Sequence, residues 1–329
     1  MSIKNVRLEV MRTIEQSMEA YIDKFLIPVE ENWQPSDMLP DSADPGFFDQ
    51  VKELQGYARE LSYDFWAVLI GDTITEEALP TYESWLMDVE GINQREGGWG
   101  KWIRAWTAEE NRHGDLLNKF LYLSGQVNMR EVENSTQYLI RDGLDIGTGQ
   151  DPYRNFVYTS FQELATNISH RRVGALAAKS GNKLLAKMCG IISADEARHA
   201  RAYSAFIKKI FEFDTSEMML AFEDMMRKKI VMPAHMLRET GSKVGDLFKH
   251  FSDAAQRLGV YTHHDYVIIM ENLIKTWEID KLTGMTDQAE RARDYVMKLP
   301  NRMRRVADRI KMPETEYEFK WIGRPVTFV

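Results

Sequence analysis

Two copies of a Glu-x-x-His motif constrain this chain more than any other feature. Glu110 and His113 lie in the stretch WTAEENRH, and Glu196 and His199 lie in ADEARH. Residues three apart on an α-helix share one face, so each pair can direct a carboxylate and an imidazole at the same metal ion. Two such pairs on facing helices predict a dimetal site inside a helical bundle.

Two further carboxylates fit this arrangement by their spacing. Glu76 precedes Glu110, and Glu163 precedes Glu196, by nearly the same interval, which is the length of a helical hairpin. With seven His and 50 acidic residues among 329, about one acid-x-x-His pair is expected by chance, so a single pair is weak evidence for a metal site. The repeated interval strengthens that evidence. The pattern predicts two antiparallel helix pairs, each giving one lone carboxylate and one Glu/His couple.

The composition of this ligand set indicates which metals it suits. Four carboxylates and two imidazoles suit two iron or manganese ions, whose four positive charges the carboxylates neutralise. Structural zinc prefers Cys and His, and Cys189 is the only cysteine, so zinc is disfavoured and no internal disulfide can form. The alternative interpretation is a set of helical salt bridges to Arg112 and Arg198 without metal.

Bulk properties bound the class of protein. A chain that is 44% hydrophobic and 28% charged can bury a sizeable core, and its net charge of −8 argues against general nucleic-acid binding. No apolar run is long enough to predict a membrane span, and the first twelve residues lack the apolar region of a secretory signal. With no low-complexity linker, we expect one domain over residues 1–329.

Apolar periodicity predicts an all-α fold. Pro80 falls inside a predicted helix over 63–89 and should bend it beside Glu76, because proline removes the bond to the carbonyl four residues back. A proline-rich connection over 27–46 holds Trp33, and residues 315–329 suggest a small β-hairpin. The remaining predicted helices cover 4–26, 46–61, 102–124, 131–143, 152–180, 182–211 and further segments that end with 286–298 and 301–311.

Six stretches closely resemble the plant soluble acyl–acyl carrier protein desaturases of the stearoyl type, and the likeness runs over nearly the whole chain. The stretches are GDTITEEALP from 71, WTAEENRHGD from 106, TSFQELAT from 159, ADEARH from 194, MMRKKI from 225 and DKLTG from 280. The resemblance implies a homodimer of ferritin-like subunits, each with a diiron centre. It further implies that ferredoxin supplies electrons, dioxygen is activated, and a cis double bond enters an acyl chain held by acyl carrier protein. The implied location is the plastid stroma, with this chain as the mature form.

The resemblance also assigns roles to individual residues. The threonine beside the oxygen-binding face falls on Thr166, whose simpler role would be a hydroxyl bonded to the backbone one turn back. The family's proposed electron route falls on Trp33, His113 and Asp195. The implied iron ligands are Glu76, Glu110, His113, Glu163, Glu196 and His199.

The acidic carrier protein needs a basic docking site on this acidic chain. The resemblance favours Arg227, Lys228 and Lys229, although such a run is often only a solvated face. Lys249, a fourth candidate, stands where stearoyl enzymes tend to carry an acid. We expect Trp85, nine residues after Glu76, to close the acyl pocket, unless it is an ordinary core residue. Chain length (C16 or C18) and bond position (Δ9 stearoyl, or a Δ4 or Δ6 palmitoyl type) therefore stay open.

Three competing classes share parts of this pattern. An iron-storage or ferroxidase bundle would not need the long C-terminal region. A radical-generating subunit would need a tyrosine beside the cluster; Leu117 stands one turn after His113, although Tyr203 does follow His199 by one turn. A non-enzymatic module that binds the carrier protein would leave four interior carboxylates without a purpose.

Overall fold

A computed structural model describes residues 3–314 and 317–323 of the chain, and this part is almost entirely helical. The prediction of an all-α fold is confirmed. In chain order the α-helices are α1 (Ile3–Glu15), α2 (Met18–Phe25), α3 (Phe47–Arg59), α4 (Tyr63–Glu77), α5 (Leu79–Leu86), α6 (Gly98–Ser124), α7 (Met129–Asp142), α8 (Pro152–Lys179), α9 (Lys183–Phe213), α10 (Thr215–Lys228), α11 (Phe248–Leu258), α12 (His263–Thr276) and α13 (Asp287–Ala307). Short 3₁₀ turns cover Pro35–Asp37, Pro233–Met236 and Ile279–Lys281.

Four long helices, α4, α6, α8 and α9, form the centre of the molecule. Helix α4 is buried on nearly all sides, which is the pattern of a central helix. Helices α8 and α9 pack along their lengths, and the three residues between them force an antiparallel pair, as predicted. One connected apolar core extends from Val10 to Trp321, in keeping with the single domain, which stays a prediction.

Side-chain caps explain where the central helices begin. The Ser62 hydroxyl accepts the Phe65 N–H at the start of α4, and the Asn182 side chain accepts the Leu185 N–H at the start of α9. Asp151 caps α8 through the Tyr153 N–H, with a proline at the first helical position. These caps define the start of three of the four helices that carry the candidate ligands; α6 begins without a side-chain cap.

The predicted helix over 63–89 is broken rather than bent. Helix α4 ends at Glu77 and α5 begins at Leu79, so Pro80 lies at the second position of a new helix, where its missing N–H is tolerated. The predicted helix over 4–26 is likewise two helices, separated by a turn in which the Ser17 N–H bonds to the Ile14 carbonyl at 3.0 Å. Both breaks shorten the predicted elements.

The structure differs from the predicted C-terminal elements in two ways. The two helices predicted over 286–298 and 301–311 are a single helix, α13, with Pro300 inside it. Pro300 removes only one backbone hydrogen bond and is itself buried, so the helix continues through it. Most of the predicted hairpin lies outside the described residues. Its described part forms one antiparallel bridge, Val127 to Ile322, instead of a strand.

Helix α6 crosses the break between α4 and α5 at a glycine. A Cβ at Gly114 would lie 3.0 Å from the backbone of Glu76 and Glu77, which is closer than most Cβ contacts. Glycine therefore lets the two backbones approach closely, one turn after Glu110 and next to His113. This contact sets the spacing between two of the helices that carry the candidate ligands.

Candidate metal centre

The four central helices bring all six predicted ligands together in the interior. Their ligand atoms form two groups, and within each group they lie within 4.8 Å of one another. All six residues are buried, and most are at most 2% exposed. The first group is Glu76, Glu110, His113 and Glu196; the second is Glu110, Glu163, Glu196 and His199.

Glu110 and Glu196 belong to both groups. Glu110 turns Oε2 toward His113 Nδ1, at 3.6 Å, and Oε1 toward His199 Nδ1, at 2.6 Å. Glu196 Oε1 lies 3.3 Å from His113 Nδ1. The two shared carboxylates thus lie between the two imidazoles, where they could serve both of two neighbouring cations. The sequence did not distinguish these shared positions from the other ligands.

The unpaired polar atoms of the site test whether it suits a metal. Buried atoms without a hydrogen-bond partner are rare because each loses its solvation without compensation. Here five atoms that face one another across the site form no hydrogen bond of acceptable geometry, although two of them, Glu110 Oε1 and His199 Nδ1, lie 2.6 Å apart. The other three are His113 Nδ1, Glu163 Oε2 and Glu196 Oε1. All are lone-pair donors, so the residues fit two bound cations.

Both imidazoles are held from outside by a carboxylate. Asp195 Oδ2 lies 3.4 Å from His113 Nε2, and Glu109 Oε2 lies 2.8 Å from His199 Nε2. With the outer nitrogen donating its proton to a carboxylate, the lone pair of Nδ1 faces inward. Glu109 is fixed in turn by the Ile27 N–H at 2.6 Å.

The two outermost ligand carboxylates are also oriented by ring N–H groups. The Trp106 indole donates to Glu163 Oε1 at 3.2 Å, and His170 Nε2 lies 2.8 Å from Glu76 Oε1. In each carboxylate one oxygen is occupied by a ring nitrogen, which leaves the other oxygen to face the site. The surrounding side chains therefore orient the ligands before any ion is bound.

The electrostatics of the metal-free site favour retained protons. Burial alone would raise the pKa of Glu110, but His113 and His199 outweigh it and bring that pKa to about 2. Burial, reinforced by Glu110, raises the pKa of Glu163 well above its usual value and raises that of Glu196. Burial lowers the pKa of each histidine, but the facing carboxylates hold both pKa values well above normal. Bound cations would replace these protons.

Thr166 makes both of the contacts considered for it. Its Oγ1 lies 2.6 Å from Glu196 Oε2, and it is also 3.1 Å from the carbonyl of Gln162 and 3.2 Å from that of Glu163. A hydroxyl has one proton, and the shortest contact is to the carboxylate. Thr166 therefore links a shared ligand to the cavity described below, which it also lines.

Trp33, Asp195 and His113 form a connected chain leading away from the site. The Trp33 indole donates to Asp195 Oδ2 at 2.9 Å, and its ring stacks on His113 with centroids 6.1 Å apart and planes 6° from parallel. Trp33 is partly exposed, whereas His113 is fully buried. The structure thus brings together the residues predicted for electron transfer.

The alternative of plain salt bridges does not describe the site. Arg198 pairs with Glu109 and with Asp195, which are the outer carboxylates and not the ligands. The Arg112 guanidinium lies over the Trp33 ring at 5.7 Å. Within the described residues, neither arginine has a salt bridge to any of the four ligand carboxylates.

A cavity of about 670 Å³ reaches the metal centre from the surface. Glu76, Glu110 and Glu196 line its inner end, together with Thr166. Most of the remaining wall is apolar and comes from α4, α8, α11, α12, the end of α13 and the loop after α10. This shape suits a long apolar substrate that enters from solvent and passes the carboxylates.

Only two of the four residues predicted to dock the carrier protein line this cavity. Lys228 and Lys229 line its mouth, whereas Arg227 and Lys249 do not. Lys229 is held at φ +64°, a backbone region that non-glycine residues seldom adopt. Lys249 forms a salt bridge to Asp253 at 2.6 Å.

Trp85 does not line the cavity, whereas we expected from the sequence that it would close the acyl pocket. The wall from α5 is made by Leu79 and Tyr82, and Trp85 lies one turn further on, with its ring 5.8 Å from that of Tyr158. Tyr82 is held at the cavity wall by a 2.8 Å hydrogen bond to the Thr75 carbonyl.

Sequence reasoning missed several supporting residues. Glu109 had an available signal, because an acid stands directly before the ligand glutamate in both motifs, as Glu109-Glu110 and as Asp195-Glu196. Trp106 and His170 had no such signal, since their contacts depend on how α6 and α8 face their neighbours. Arg198 was considered only as a partner for the ligands.

Comparisons with known proteins match this geometry. A profile of the fatty acid desaturase family matches residues 6–323. The chain is 49% identical over 323 residues to a chloroplastic stearoyl-[acyl-carrier-protein] 9-desaturase of Ricinus communis, covering 96% of this chain and 81% of that protein. It is 47% identical over 329 residues to a chloroplastic palmitoyl-[acyl-carrier-protein] 4-desaturase of Ophrys sphegodes, covering 98% and 82%.

One solved structure supports the fold. DesA2 from Mycobacterium tuberculosis, described as a candidate acyl-ACP desaturase, superposes with a TM-score of 0.52 at 18% identity, covering 88% of this chain and 99% of that one. At this identity the likeness concerns the helical architecture alone.

Proposed function

The chain belongs to the fatty acid desaturase family, and from this membership we propose that it inserts a cis double bond into a saturated acyl chain carried on acyl carrier protein. The observation that carries the proposal is the apolar cavity, which ends at the shared carboxylates of a dimetal site. A binding module would need no such site. A ferroxidase bundle would need no acyl-sized cavity.

The six ligands would hold two iron ions, and bound iron would supply the activation of dioxygen that the removal of two hydrogens needs. The role of the protein is to position the substrate and to control access. The cavity walls exclude water and lay the acyl chain past Glu110 and Glu196. Asp195 and Glu109 fix the two imidazoles. Trp106 fixes the ligand carboxylate of Glu163, and His170 fixes that of Glu76.

Thr166 controls the proton at a shared ligand. Its hydroxyl donates to Glu196 Oε2 on the side of the cavity, so a proton at Thr166 Oγ1 is held between the ligand and the substrate channel. The backbone carbonyl of Gln162 is the alternative acceptor when Glu196 releases the bond.

Reduced ferredoxin delivers electrons on the side of Trp33. The chain Trp33–Asp195–His113 is the contact path from the partly exposed indole to the buried site. Neither Trp33 nor Asp195 lines the cavity that would receive the acyl chain.

The proposal includes an assembly and a location. Phe48 on α3 and Tyr122 on α6 are 73% and 69% exposed, and these two helices are neighbours, which supports a homodimer that covers them. The curated relatives are chloroplastic, which supports a plastid location. Within the plastid we propose the stroma. No helix in the described part of the chain is long and apolar enough to cross a membrane.

Chain length and bond position depend on how far the acyl chain passes the metal site. Leu79 and Tyr82 of α5 line the cavity, and the Trp85 ring, one turn after Tyr82, lies against that of Tyr158. We expect these bulky side chains to limit how deep the acyl chain reaches, and so to favour a palmitoyl-length chain or a shifted bond position. If Trp85→Met leaves chain preference and bond position unchanged, Trp85 has no part in selection; Tyr57→Phe on the surface of α3 is the control.

The decisive experiment is an assay of the iron-loaded protein. It combines the holoenzyme, reduced ferredoxin, oxygen and acyl carrier protein loaded with C16 or C18 chains, and maps double bonds by mass spectrometry. A cis-unsaturated product that requires all components is expected. Iron oxidation without any unsaturated product would indicate a ferroxidase instead.

A further inference from the structure

A line of aromatic rings leaves the metal site at Glu163, and it belongs neither to the acyl cavity nor to the Trp33 path. We propose that this line carries oxidising equivalents from the site to the surface when dioxygen is activated with no acyl chain bound, an inference that rests on the proposed function. We call it the aromatic ladder, defined as the rings of Trp106, Tyr203, Trp102, Phe206, Trp99 and Tyr21.

Helix α6 supplies three rings of the ladder at helical spacing. Trp99, Trp102 and Trp106 stand three and four residues apart in the stretch WGKWIRAW, so they share one face of the helix. All three are at most 2% exposed. An aromatic stripe of this kind is often only core packing, so the case for electron transfer depends on what the rings contact.

The first ring of the ladder contacts a predicted ligand directly. The Trp106 indole donates its N–H to Glu163 Oε1 at 3.2 Å, and its ring lies 6.4 Å from that of His199. An electron can therefore pass from Trp106 to the metal site across one hydrogen bond.

The remaining rings continue from Trp106 without a gap. The Tyr203 ring lies 6.3 Å from that of Trp106 and 5.9 Å from that of Trp102, edge to face in both cases. The Phe206 ring lies 5.0 Å from each of three further rings, those of Trp102, Trp99 and Tyr21. Rings at these separations are in contact. Because electron transfer falls off steeply with distance, such contacts are what a route for electrons requires.

The hydrogen bonds of the indoles suit rings that become positively charged. Loss of one electron turns an indole into a cation, which can keep its N–H proton. The Trp102 N–H donates to the Tyr203 hydroxyl at 3.4 Å, and the Trp99 N–H donates to the Met11 carbonyl at 3.0 Å. As at Trp106, each N–H points at an oxygen atom, and such a hydrogen bond strengthens when its donor is charged.

Tyr203 bridges two indoles of the ladder but is a poor place to hold a radical. A tyrosine must release its hydroxyl proton when it is oxidised, and no residue that the structure describes accepts the proton of Tyr203. Burial also raises the pKa of this hydroxyl well above its usual value. The oxidising equivalent therefore leaves through Tyr21, which is only partly buried and can release its proton to water.

The electron balance is that of oxygen reduction without a substrate. Reduction of dioxygen to two water molecules takes four electrons and four protons. Reduced ferredoxin gives two of the electrons, and an acyl chain would give the other two with its two hydrogens. Without an acyl chain, two electrons pass singly from Tyr21 through the ladder, and water supplies the protons at the site. Each time Tyr21 releases its proton to solvent, and ferredoxin or a small reductant such as ascorbate restores its electron as a proton returns.

The test follows aromatic oxidation in the iron-loaded protein as it reacts with reduced ferredoxin and oxygen without acyl substrate. Freeze-quench electron paramagnetic resonance, with and without ring-deuterated tyrosine, detects a radical and distinguishes tyrosine from tryptophan. Peptide mass mapping locates oxidised side chains after many cycles. In wild type we expect an aromatic radical and little oxidation of the ligand histidines.

Trp102→Phe should interrupt the ladder while the ligands and the cavity stay intact. We expect the Tyr21 radical to be lost, oxidation of Trp106 and of the ligand histidines to rise severalfold, and desaturation at saturating acyl substrate to be unchanged. Trp102→Tyr, which keeps an oxidisable ring, should reduce the damage again. Trp321→Phe is the matched control, because Trp321 is equally buried, donates its N–H to Ser135 and lies outside the ladder.

The proposal is overturned if wild type forms no aromatic radical, or if Trp102→Phe matches wild type in radical yield and in damage. Circular dichroism checks folding. If Trp102→Phe fails to fold, Tyr21→Phe replaces it, and the radical should then reside on tryptophan; an unchanged tyrosine radical would contradict the ladder. If wild type forms no unsaturated product with acyl substrate, the proposed function fails instead, whereas the radical experiment needs no acyl carrier.

Discussion

The Thr166 hydroxyl holds Oε2 of the shared ligand Glu196 by a hydrogen bond. We predict that Thr166→Val lowers kcat by about 10- to 100-fold, because a hydrogen bond to a charged group contributes about 1.5–3 kcal/mol. The measurement is product formation by the iron-loaded enzyme at saturating substrate. Thr159→Val is the matched control, since Thr159 lies on the same helix and its hydroxyl bonds only to a backbone carbonyl. Equal losses in the two variants would contradict a specific role for Thr166.

Asp195 and Glu109 each contact one ligand histidine, so we predict that changing either one weakens metal binding at only one of the two positions. Asp195→Asn should weaken the ion held by His113, and Glu109→Gln the ion held by His199, each by about tenfold or more in affinity. Iron retained per chain during titration with a chelator measures this, and we expect one ion to leave before the other. Glu212→Gln, an exposed change on α9, is the control. Simultaneous loss of both ions in each variant would argue against independent support.

At the scale of residues, the sequence predicts the ligands better than what surrounds them. Two motifs at helical spacing are local, so Glu110 and His113 are readable from the chain itself. The orienting contacts of His170 and Trp106 join different helices and depend on side-chain direction, which spacing does not encode. Trp85 shows the same limit, because the residue of this helix that lines the cavity is Tyr82, one turn before it.

At the scale of elements, Arg172 ties α8 to the turn between α11 and α12. It donates two hydrogen bonds of 2.6 Å to the buried Asp265 and also reaches the Gly259 carbonyl at 3.1 Å. We predict that Arg172→Met lowers the free energy of unfolding by about 2–3 kcal/mol, because Asp265 keeps only its Thr262 contacts. Chemical denaturation at about pH 6 measures this, with the exposed neighbour change Arg171→Met as control.

The same pair gives a pH dependence with a defined sign. Burial would raise the pKa of Asp265, but Arg172 and Thr262 outweigh burial and hold it below the ordinary value of 3.8. A lowered pKa stabilises the fold above the ordinary value, and this stabilisation is lost as pH falls through the lowered one. The stability difference between wild type and Arg172→Met should therefore be full at about pH 6 and shrink below pH 3.8. A difference that grows in acid would contradict this assignment.

Helix boundaries were the least predictable part of the elements. Pro80 does end a helix, but Pro300 does not, although both are prolines within helical patterns. The difference lies in packing, because Pro300 is buried in a face that holds α13 together despite one missing bond. Sequence periodicity cannot weigh that tertiary contribution.

At the scale of the whole molecule, metal and fold should be coupled. Removing iron leaves four carboxylates in one interior, so we predict that chelation lowers Tm by about 5 °C or more, in line with the stabilisation given by a tightly bound ligand. Differential scanning calorimetry with and without ferrous iron measures it. Glu196→Ala, which lacks a shared ligand, should show no such shift. Identical Tm values for wild type with and without iron would contradict a metal-dependent fold.

Charge distribution is a property that only the folded molecule reveals. The chain is acidic as a whole, yet Lys228 and Lys229 line one cavity together with Met303, Val306 and Ile310, which are distant in sequence. Sequence alone does not indicate that these two segments share a cavity, because their proximity depends on how the helices pack.

Direct backbone contact at Gly114 has a consequence for anyone who redesigns this scaffold. The distance between α4 and α6 is fixed there by touching main chains rather than by adjustable side chains. Mutagenic libraries aimed at new chain lengths can therefore remodel the channel walls freely while the ligand positions hold. A single added methyl at position 114 would instead press on the backbone of Glu76 and Glu77 at 3.0 Å and force a shift of a few tenths of an ångström beside a ligand, so that codon should be left out of any randomisation.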